Sequence, residues 1–141
     1  MACRVKIKIR GENKIVETIA LLNSGFESDA LDIAVPIDVA KELGLWPPHY
    51  STTTVVLDTG GGETVNPYYE FCAELELILG DRESKKIKVN IIVNSYIDEV
   101  AISDYVASEL GIMLLDFKKG LWRLKDDPLE KIRESEPGNL G

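Results

Sequence analysis

A seven-residue pattern occurs twice in this chain and constrains its fold more than any other feature of the sequence. Val39-Ala40-Lys41-Glu42-Leu43-Gly44-Leu45 recurs as Val106-Ala107-Ser108-Glu109-Leu110-Gly111-Ile112. Each copy follows a short apolar run, residues 33–35 in one case and 100–102 in the other. Each also contains a Leu-Gly pair, which is typical of a helix C-terminus. Such self-similarity predicts two strand–helix units related by an approximate two-fold axis within the chain.

Most of the remaining sequence shows the two-residue alternation that is typical of β-strands. Strands are predicted over residues 3–10, 15–22, 51–58, 63–79 and 85–93, and a last hairpin joins 112–115 to 121–124. In the long strand, alternation predicts one shared apolar face: Tyr69, Phe71, Ala73, Leu75, Leu77 and Leu79. In the strand that returns, Lys86, Lys88 and Asn90 are expected to point outward. The chain is therefore predicted to be mostly β.

Length and composition predict one domain that folds without disulfide bonds or structural metal ions. A chain of 141 residues can bury its own core. Cys3 and Cys72 lie far apart in the sequence, so no disulfide framework, metal site or cofactor is expected. We assign residues 1–125 to the domain and 126–141 to a polar C-terminal tail, with a short helix and a frayed end.

Charge and hydropathy limit the partners that the sequence predicts. The net charge of −8 repels phosphate backbones, so nucleic acid is not an expected partner. Arg4, Lys6, Lys8 and Arg10 alternate with apolar residues, and a solvated strand face is favoured over a binding stripe. No apolar run reaches the roughly 18 residues of a membrane helix, and the N-terminus does not resemble a signal peptide. These features predict a cytoplasmic protein without a membrane partner.

The order of these elements resembles the retropepsin-like, or retroviral-type, aspartic protease family. Leu21-Leu22-Asn23-Ser24-Gly25 is similar to the family's Leu-hydrophobic-Asp-Thr/Ser-Gly turn. The stretch from Pro36 to Leu45 is similar to its proline-led helix and Leu-Gly-Leu. Residues 101–112 and 117–124 are similar to its second turn, helix and closing hairpin. The resemblance implies an acid-protease fold: a closed or partly open β-barrel with two short helices and an internal pseudo-two-fold.

The sequence departs from this family at the residue on which catalysis depends. The resemblance implies a homodimer in which each chain gives one aspartate, and the two carboxylates share a proton. Asn23 stands at that position, and an amide cannot accept the proton of water. Ser24 and Gly25 keep the rest of the turn, Ser103 replaces a family glycine, and the loop after Gly25 is longer. A catalytically silent homodimer that binds a peptide or protein is therefore favoured.

A second match to the catalytic motif keeps an active endopeptidase open as the alternative. Asp58-Thr59-Gly60 follows the apolar residues Val55-Val56-Leu57. Together they match the hydrophobic-hydrophobic-Asp-Thr-Gly pattern of the family turn. Strands rather than a strand and helix follow it, so Gly60, Gly61 and Gly62 are interpreted as the tip of a mobile hairpin, the flap that closes over substrate. The alternative uses Asp58, or an aspartate native to position 23. The resemblance also implies substrate contacts at Asp29, Ala101, Ile102 and Ser103, and at the flap glycines. For Asp29 and for Asp32 in the same loop, an ordinary solvated position is favoured over a substrate contact.

Overall fold

A computed structural model describes residues 2–22, 26–48, 52–58 and 62–137 of the chain. Within them lie ten strands and two short helices. The strands are β1 (Cys3–Arg10), β2 (Ile15–Leu22), β3 (Asp32–Val35), β4 (Thr53–Asp58), β5 (Glu63–Leu77), β6 (Ile87–Val93), β7 (Val100–Ile102), β8 (Ile112–Asp116), β9 (Leu121–Leu124) and β10 (Arg133–Glu134). The helices are α1 (Ile37–Glu42) and α2 (Asp104–Glu109). The chain is mostly β, as the alternation predicted.

Six strands close into a barrel with an internal pseudo-two-fold. The hydrogen-bonded order is β1-β2-β7-β3-β6-β5, and pairing of β1 with β5 closes the ring. At its centre β3 and β7 run antiparallel, with Ala34 opposite Ala101. The parallel pair of β2 with β7 has its counterpart in the parallel pair of β6 with β3. This pairing is symmetric about β3 and β7, and it confirms the two related units that the repeat predicted.

The barrel interior holds the main core. One alternate set of side chains from each strand points inward, and the largest fully buried ones are Ile7, Ile9, Ile33, Leu75, Ile91 and Ile102. The helices pack outside this core through Val39, Ala40 and Val106. Burial of apolar area stabilises such a fold by about 25 cal/mol per Å².

Both helices end as the repeated Leu-Gly pair predicted. Gly44 has φ of 77° and Gly111 has φ of 84°, a conformation that favours glycine. Ser103 caps α2, since its Oγ accepts a hydrogen bond from the Val106 amide at 3.3 Å. Pro36 lies at the N-cap of α1, where its missing N–H leaves no bond unmade.

The predicted apolar face of the long strand fails at Phe71. A β-bulge between Tyr69 and Ala73 shifts the register of β5 against β6, so the alternation is interrupted there. Phe71 has φ of 44° and its side chain is 57% exposed. The inward set resumes at Ala73, Leu75 and Leu77, which are buried.

The short helix predicted in the C-terminal tail is wrong. Residues 126–132 form turns, and β10 then pairs with β9 through Arg133 and Trp122. The Ser135 amide donates to the Gly120 carbonyl at 2.7 Å, and the Glu136 amide to the Arg4 carbonyl at 2.9 Å. Buried Asp127 and Arg133 attach this segment to the domain, which a polar composition alone does not predict.

The basic alternation on β1 is neutralised by neighbouring carboxylates. Arg4 contacts Glu99 at 3.0 Å, and Lys8 lies 3.7 Å from Glu17. Arg10 and Lys8 both lie within 4 Å of Glu76. These pairs support the interpretation of a solvated strand face rather than of a binding stripe.

Gly120 gives a direct test of how closely the C-terminal segment packs. Its φ is 66°, and an added Cβ would lie 2.7 Å from Ser135 Cβ. Gly80 has a similar φ of 80° but no heavy atom within 4 Å of such a Cβ. Gly80→Ala is expected to cost about 1 kcal/mol through backbone strain alone. Gly120→Ala is expected to cost about 3 kcal/mol, because overpacking adds to that strain. If urea unfolding gave the same loss of unfolding free energy for both variants, the C-terminal segment would be able to move away at Ser135 without cost.

Candidate functional site

The two candidate catalytic turns fall largely outside the described residues. Asn23, Ser24 and Gly25 lie there, as do Thr59, Gly60 and Gly61. Leu22, which precedes the first turn, pairs with Ile102 at the end of β2. Asp58 is the last residue of β4, opposite Glu63 at the start of β5. The structure therefore describes the strands that lead into both turns, but not the turns themselves.

A second apolar cluster lies on the outer face of the barrel, and we call it the covered face. Its centre is Ala34, Ile92 and Ala101, which are buried although they point away from the barrel interior. Partly buried side chains from the hairpin and from two loops pack on that centre: Phe26, Val55, Leu57, Tyr68 and Ile97. The covered face thus lies between the β4–β5 hairpin and the loop that follows position 25.

The hairpin projects beyond the barrel at Tyr68. Tyr68 pairs with Thr53 of β4 and also with Ile92 of β6. Residues 63–67 of β5 pair only with β4. Tyr68 is therefore the hinge position from which the hairpin extends over the covered face. Gly62, at the far end, has φ of 139°.

The structure separates the residues for which the resemblance implied substrate contacts. Ala101 lies on the covered face. Ile102 is fully buried in the main core, because alternation turns its side chain to the opposite face. Ser103 is fully buried as the cap of α2, and Asp29 is exposed on its loop. Side-chain contact with a ligand on the covered face is thus open to Ala101 but not to Ile102 or Ser103.

A buried carboxylate borders the covered face. Asp32 is 9% exposed, and Asn90, which pairs with it across β3 and β6, is 3% exposed. Asp32 Oδ1 accepts from the Tyr68 hydroxyl at 2.9 Å and from Asn90 Nδ2 at 3.0 Å. Its Oδ2 accepts from Ser28 Oγ at 2.6 Å. The sequence suggested a solvated loop or a substrate contact for Asp32, whereas its carboxylate is taken up by the protein itself.

The sequence contained a weak signal for this group. Asp32 directly precedes the apolar run 33–35, and Asn90 interrupts an otherwise apolar strand end. Both residues share the face of Ala34 and Ile92, since side chains two apart in a strand point the same way. Burial and the bond to Asp32 raise the pKa of Tyr68 to about 12, so its hydroxyl remains a donor at neutral pH.

The segments around the covered face carry charge of one sign. Residues 26–35, 52–68 and 92–105 contain no Lys or Arg. They contain eight acidic residues: Glu27, Asp29, Asp32, Asp58, Glu63, Asp98, Glu99 and Asp104. That number equals the whole net charge of −8, so the remainder of the chain is balanced. Among these, Glu27, Asp29, Glu63, Asp98 and Asp104 are exposed.

An open apolar cavity of about 190 Å³ lies beside the end of β2. Its walls come from the ends of β2 and β7, from α2 with its cap, and from β8: Leu22, Ile102, Ser103, Asp104, Ala107, Ser108, Ile112 and Leu114. On β8, Met113 is 40% exposed and Leu115 46% exposed. β8 forms the edge of the sheet β10-β9-β8 and pairs only with β9 in the described residues.

Metal and thiol chemistry have little support in the part of the chain that the structure describes. No group of three His, Cys, Asp or Glu residues there is arranged to hold a metal ion. Cys3 and Cys72 are free, and burial raises the pKa of each thiol to about 11. Neither described helix has the length and apolar character needed to cross a membrane.

Neither the protein-family models nor the curated proteins gave a match to this chain. The retropepsin-like assignment therefore stays a prediction from the order of elements in the sequence.

Proposed function

We propose that this chain is a peptide-binding module of the retropepsin-like family. It binds peptides as a homodimer and, with Asn23 in place of the catalytic aspartate, has no peptidase activity. The observation that carries this proposal is the covered face. It places an apolar surface beneath a β-hairpin and directly beside the loop that leaves Asn23. A glycine-tipped hairpin over an apolar cleft is what the resemblance implies for substrate binding, and Asn23 removes the base while keeping the shape of the turn.

Two apolar surfaces near Leu22 support the homodimer. The first is the cavity, which Ile112 and Leu114 of β8 help to line, and the second is the other face of β8, where Met113 and Leu115 are exposed. Leu22 is the residue before Asn23, so a second copy seated there brings its own turn close to the first. Such an isologous contact gives each cleft a contribution from both chains. The edge of β8, which pairs only with β9 in the described part of the chain, also favours a partner.

The charge around the covered face supports a proposal for the kind of peptide that it would bind. Exposed carboxylates at Glu27, Asp29, Asp98 and Asp104 lie in the segments that carry Phe26, Ile97 and Ala101. Glu99 is matched by Arg4 at 3.0 Å, but these four have no Lys or Arg within their own segments. The ligand is therefore an extended segment with apolar side chains flanked by Lys or Arg, because complementary charge speeds encounter and disfavours acidic competitors.

A pair of matched peptides tests this proposal. Both carry the same apolar centre, one flanked by Lys and Arg and the other by Glu. The basic peptide is expected to bind at least tenfold more tightly in fluorescence anisotropy, and its advantage is expected to shrink at high salt. Asp29→Lys is expected to weaken binding of the basic peptide. Glu12→Lys makes the same charge change at an exposed site outside these segments and should have little effect. Equal affinity for both peptides would refute the charge assignment, and no binding of either would refute the module.

The alternative, an active endopeptidase that uses Asp58, finds less support. β4 ends at Asp58 and the chain returns as β5, so a hairpin follows that motif rather than the strand and helix of the family turn. The free thiols of Cys3 and Cys72 agree with the cytoplasmic location that we propose.

A further inference from the structure

We propose that Asp32 is a positioning residue that fixes the β4–β5 hairpin over the covered face and so controls entry to it. The role of Asp32 in ligand entry rests on the proposed function, but its role in holding the hairpin can be tested on the free protein. Asp32 is a nearly buried carboxylate, and burial of a charge is costly unless donors surround it. Its three side-chain donors are all neutral: Ser28, Tyr68 and Asn90.

Each of these donors comes from a different part of the site. Tyr68 is the hinge residue of the hairpin, and Ser28 belongs to the loop that follows position 25. Asn90 belongs to β6 and also accepts from the Phe71 amide at 2.8 Å, at the bulge of β5. One carboxylate therefore joins the hairpin, the loop and the barrel wall.

The loop side of this connection is itself ordered by hydrogen bonds. Ser28 Oγ accepts from the Ala30 amide at 3.1 Å while it donates to Asp32. The Ser28 amide donates to Asp104 Oδ1 at 3.2 Å, at the start of α2. The loop is thus held on two sides, and the bond from Tyr68 to Asp32 ties the hairpin to this ordered support.

The hairpin contacts the covered face mainly through its apolar side chains. Val55 and Leu57 hold it to the covered face through apolar packing, which is non-directional. The bond from Tyr68 is directional and lies at the hinge, so it determines the angle at which the hairpin leaves the barrel. Loss of this bond is expected to let the hairpin open while the barrel, held by its own strand pairs, stays intact.

Hydrogen exchange on the free protein, followed by mass spectrometry, tests this role without any ligand. Tyr68→Phe removes only the hydroxyl, and Asp32→Asn leaves too few acceptors for three donors. Both variants are expected to raise exchange at least tenfold in residues 53–57 and 63–67, with no change in β1 and β2. The double variant is expected to exchange no faster than the faster single variant, because both changes act through the one bond between Tyr68 and residue 32. Glu12→Gln, which changes an exposed carboxylate outside these segments, should behave as the parent does.

A purely structural role for Asp32 would produce a different pattern. Exchange would then rise throughout the barrel, or Tyr68→Phe would leave the hairpin unchanged, and either result overturns the proposal. If Asp32→Asn does not fold, Tyr68→Phe alone decides between these outcomes. Association of the Lys-flanked peptide provides a separate measurement. Its absence would count against the proposed function, whereas the exchange data would still decide the role of Asp32.

Discussion

Replacing Arg133 by methionine is expected to lower the free energy of unfolding by about 3–5 kcal/mol, because it leaves a buried carboxylate without its main partner. Arg133 Nε and Nη2 donate to the two oxygens of Asp127 at 2.9 and 3.0 Å. Its Nη1 and Nη2 also donate to Asp81 at 2.8 and 3.1 Å. The side chain of Asp127 is only 1% exposed, so water cannot replace the lost donors.

The expected loss exceeds that of an exposed ion pair by a wide margin. Lys85→Met removes the partner of Glu109, where both side chains are more than 40% exposed, and is expected to cost about 0–1 kcal/mol. Both variants are compared with the parent by urea unfolding at neutral pH. A loss for Arg133→Met no larger than that for Lys85→Met would show that the C-terminal segment adds little to stability.

The same buried pair predicts a dependence of stability on acid. Hydrogen bonds from Arg133 hold the pKa of Asp127 well below its usual range, which is about 3.9 in the unfolded chain. A carboxyl group with a depressed folded pKa contributes stability above its unfolded pKa, and loses it as pH falls toward the folded value. The parent should therefore lose stability progressively below about pH 4. The Asp127→Asn variant should have a lower free energy of unfolding than the parent at neutral pH. Below about pH 4 its free energy of unfolding should depend less steeply on pH.

Asn90 and Asp32 show why local pattern predicted the strands better than the site. Alternation correctly placed Asn90 on the outer face of β6, but it does not indicate whether that face is covered. The outer face is in fact covered at this end by the β4–β5 hairpin, which contacts it from far along the sequence. Alternation reports the face on which a side chain lies, but only tertiary structure reports what covers that face.

The repeat was more informative because it encodes local rules that tertiary structure need not override. Gly44 and Gly111 end their helices through their own backbone conformation, and Ser103 caps α2 within one turn. Arg133 is the opposite case. Its two carboxylate partners lie 6 and 52 residues away in the sequence, so its burial depends on where the turns meet. Polar composition therefore predicted a C-terminal tail where the structure has a segment that packs on the domain.

Placing a carboxylate at position 23 is expected to produce cleavage of peptides at acid pH in a chain for which we propose no aspartic peptidase activity. An amide and a carboxylate have nearly the same shape, so Asn23→Asp should leave the turn able to form. In a homodimer two carboxylates would then face each other, and repulsion makes one of them hold a proton. That is the charge state in which one group activates water while the other donates to the scissile carbonyl.

Four proteins in a peptide-library digest at several acid pH values separate the possible sites: the parent, Asn23→Asp, Asp58→Asn and the double variant. Activity is expected only in the two proteins that carry the Asn23→Asp substitution, so Asp58→Asn should not abolish the gain. Analytical ultracentrifugation of the same samples should show a dimer at micromolar concentration, since one chain supplies only one such turn.

Cleavage by the parent that is lost in Asp58→Asn would move the catalytic site to Asp58. If Asn23→Asp is dimeric and silent on every peptide, the cleft no longer supports hydrolysis, because catalysis tolerates misplacements of only about 1 Å. Binding would then be the remaining function that we propose for the covered face.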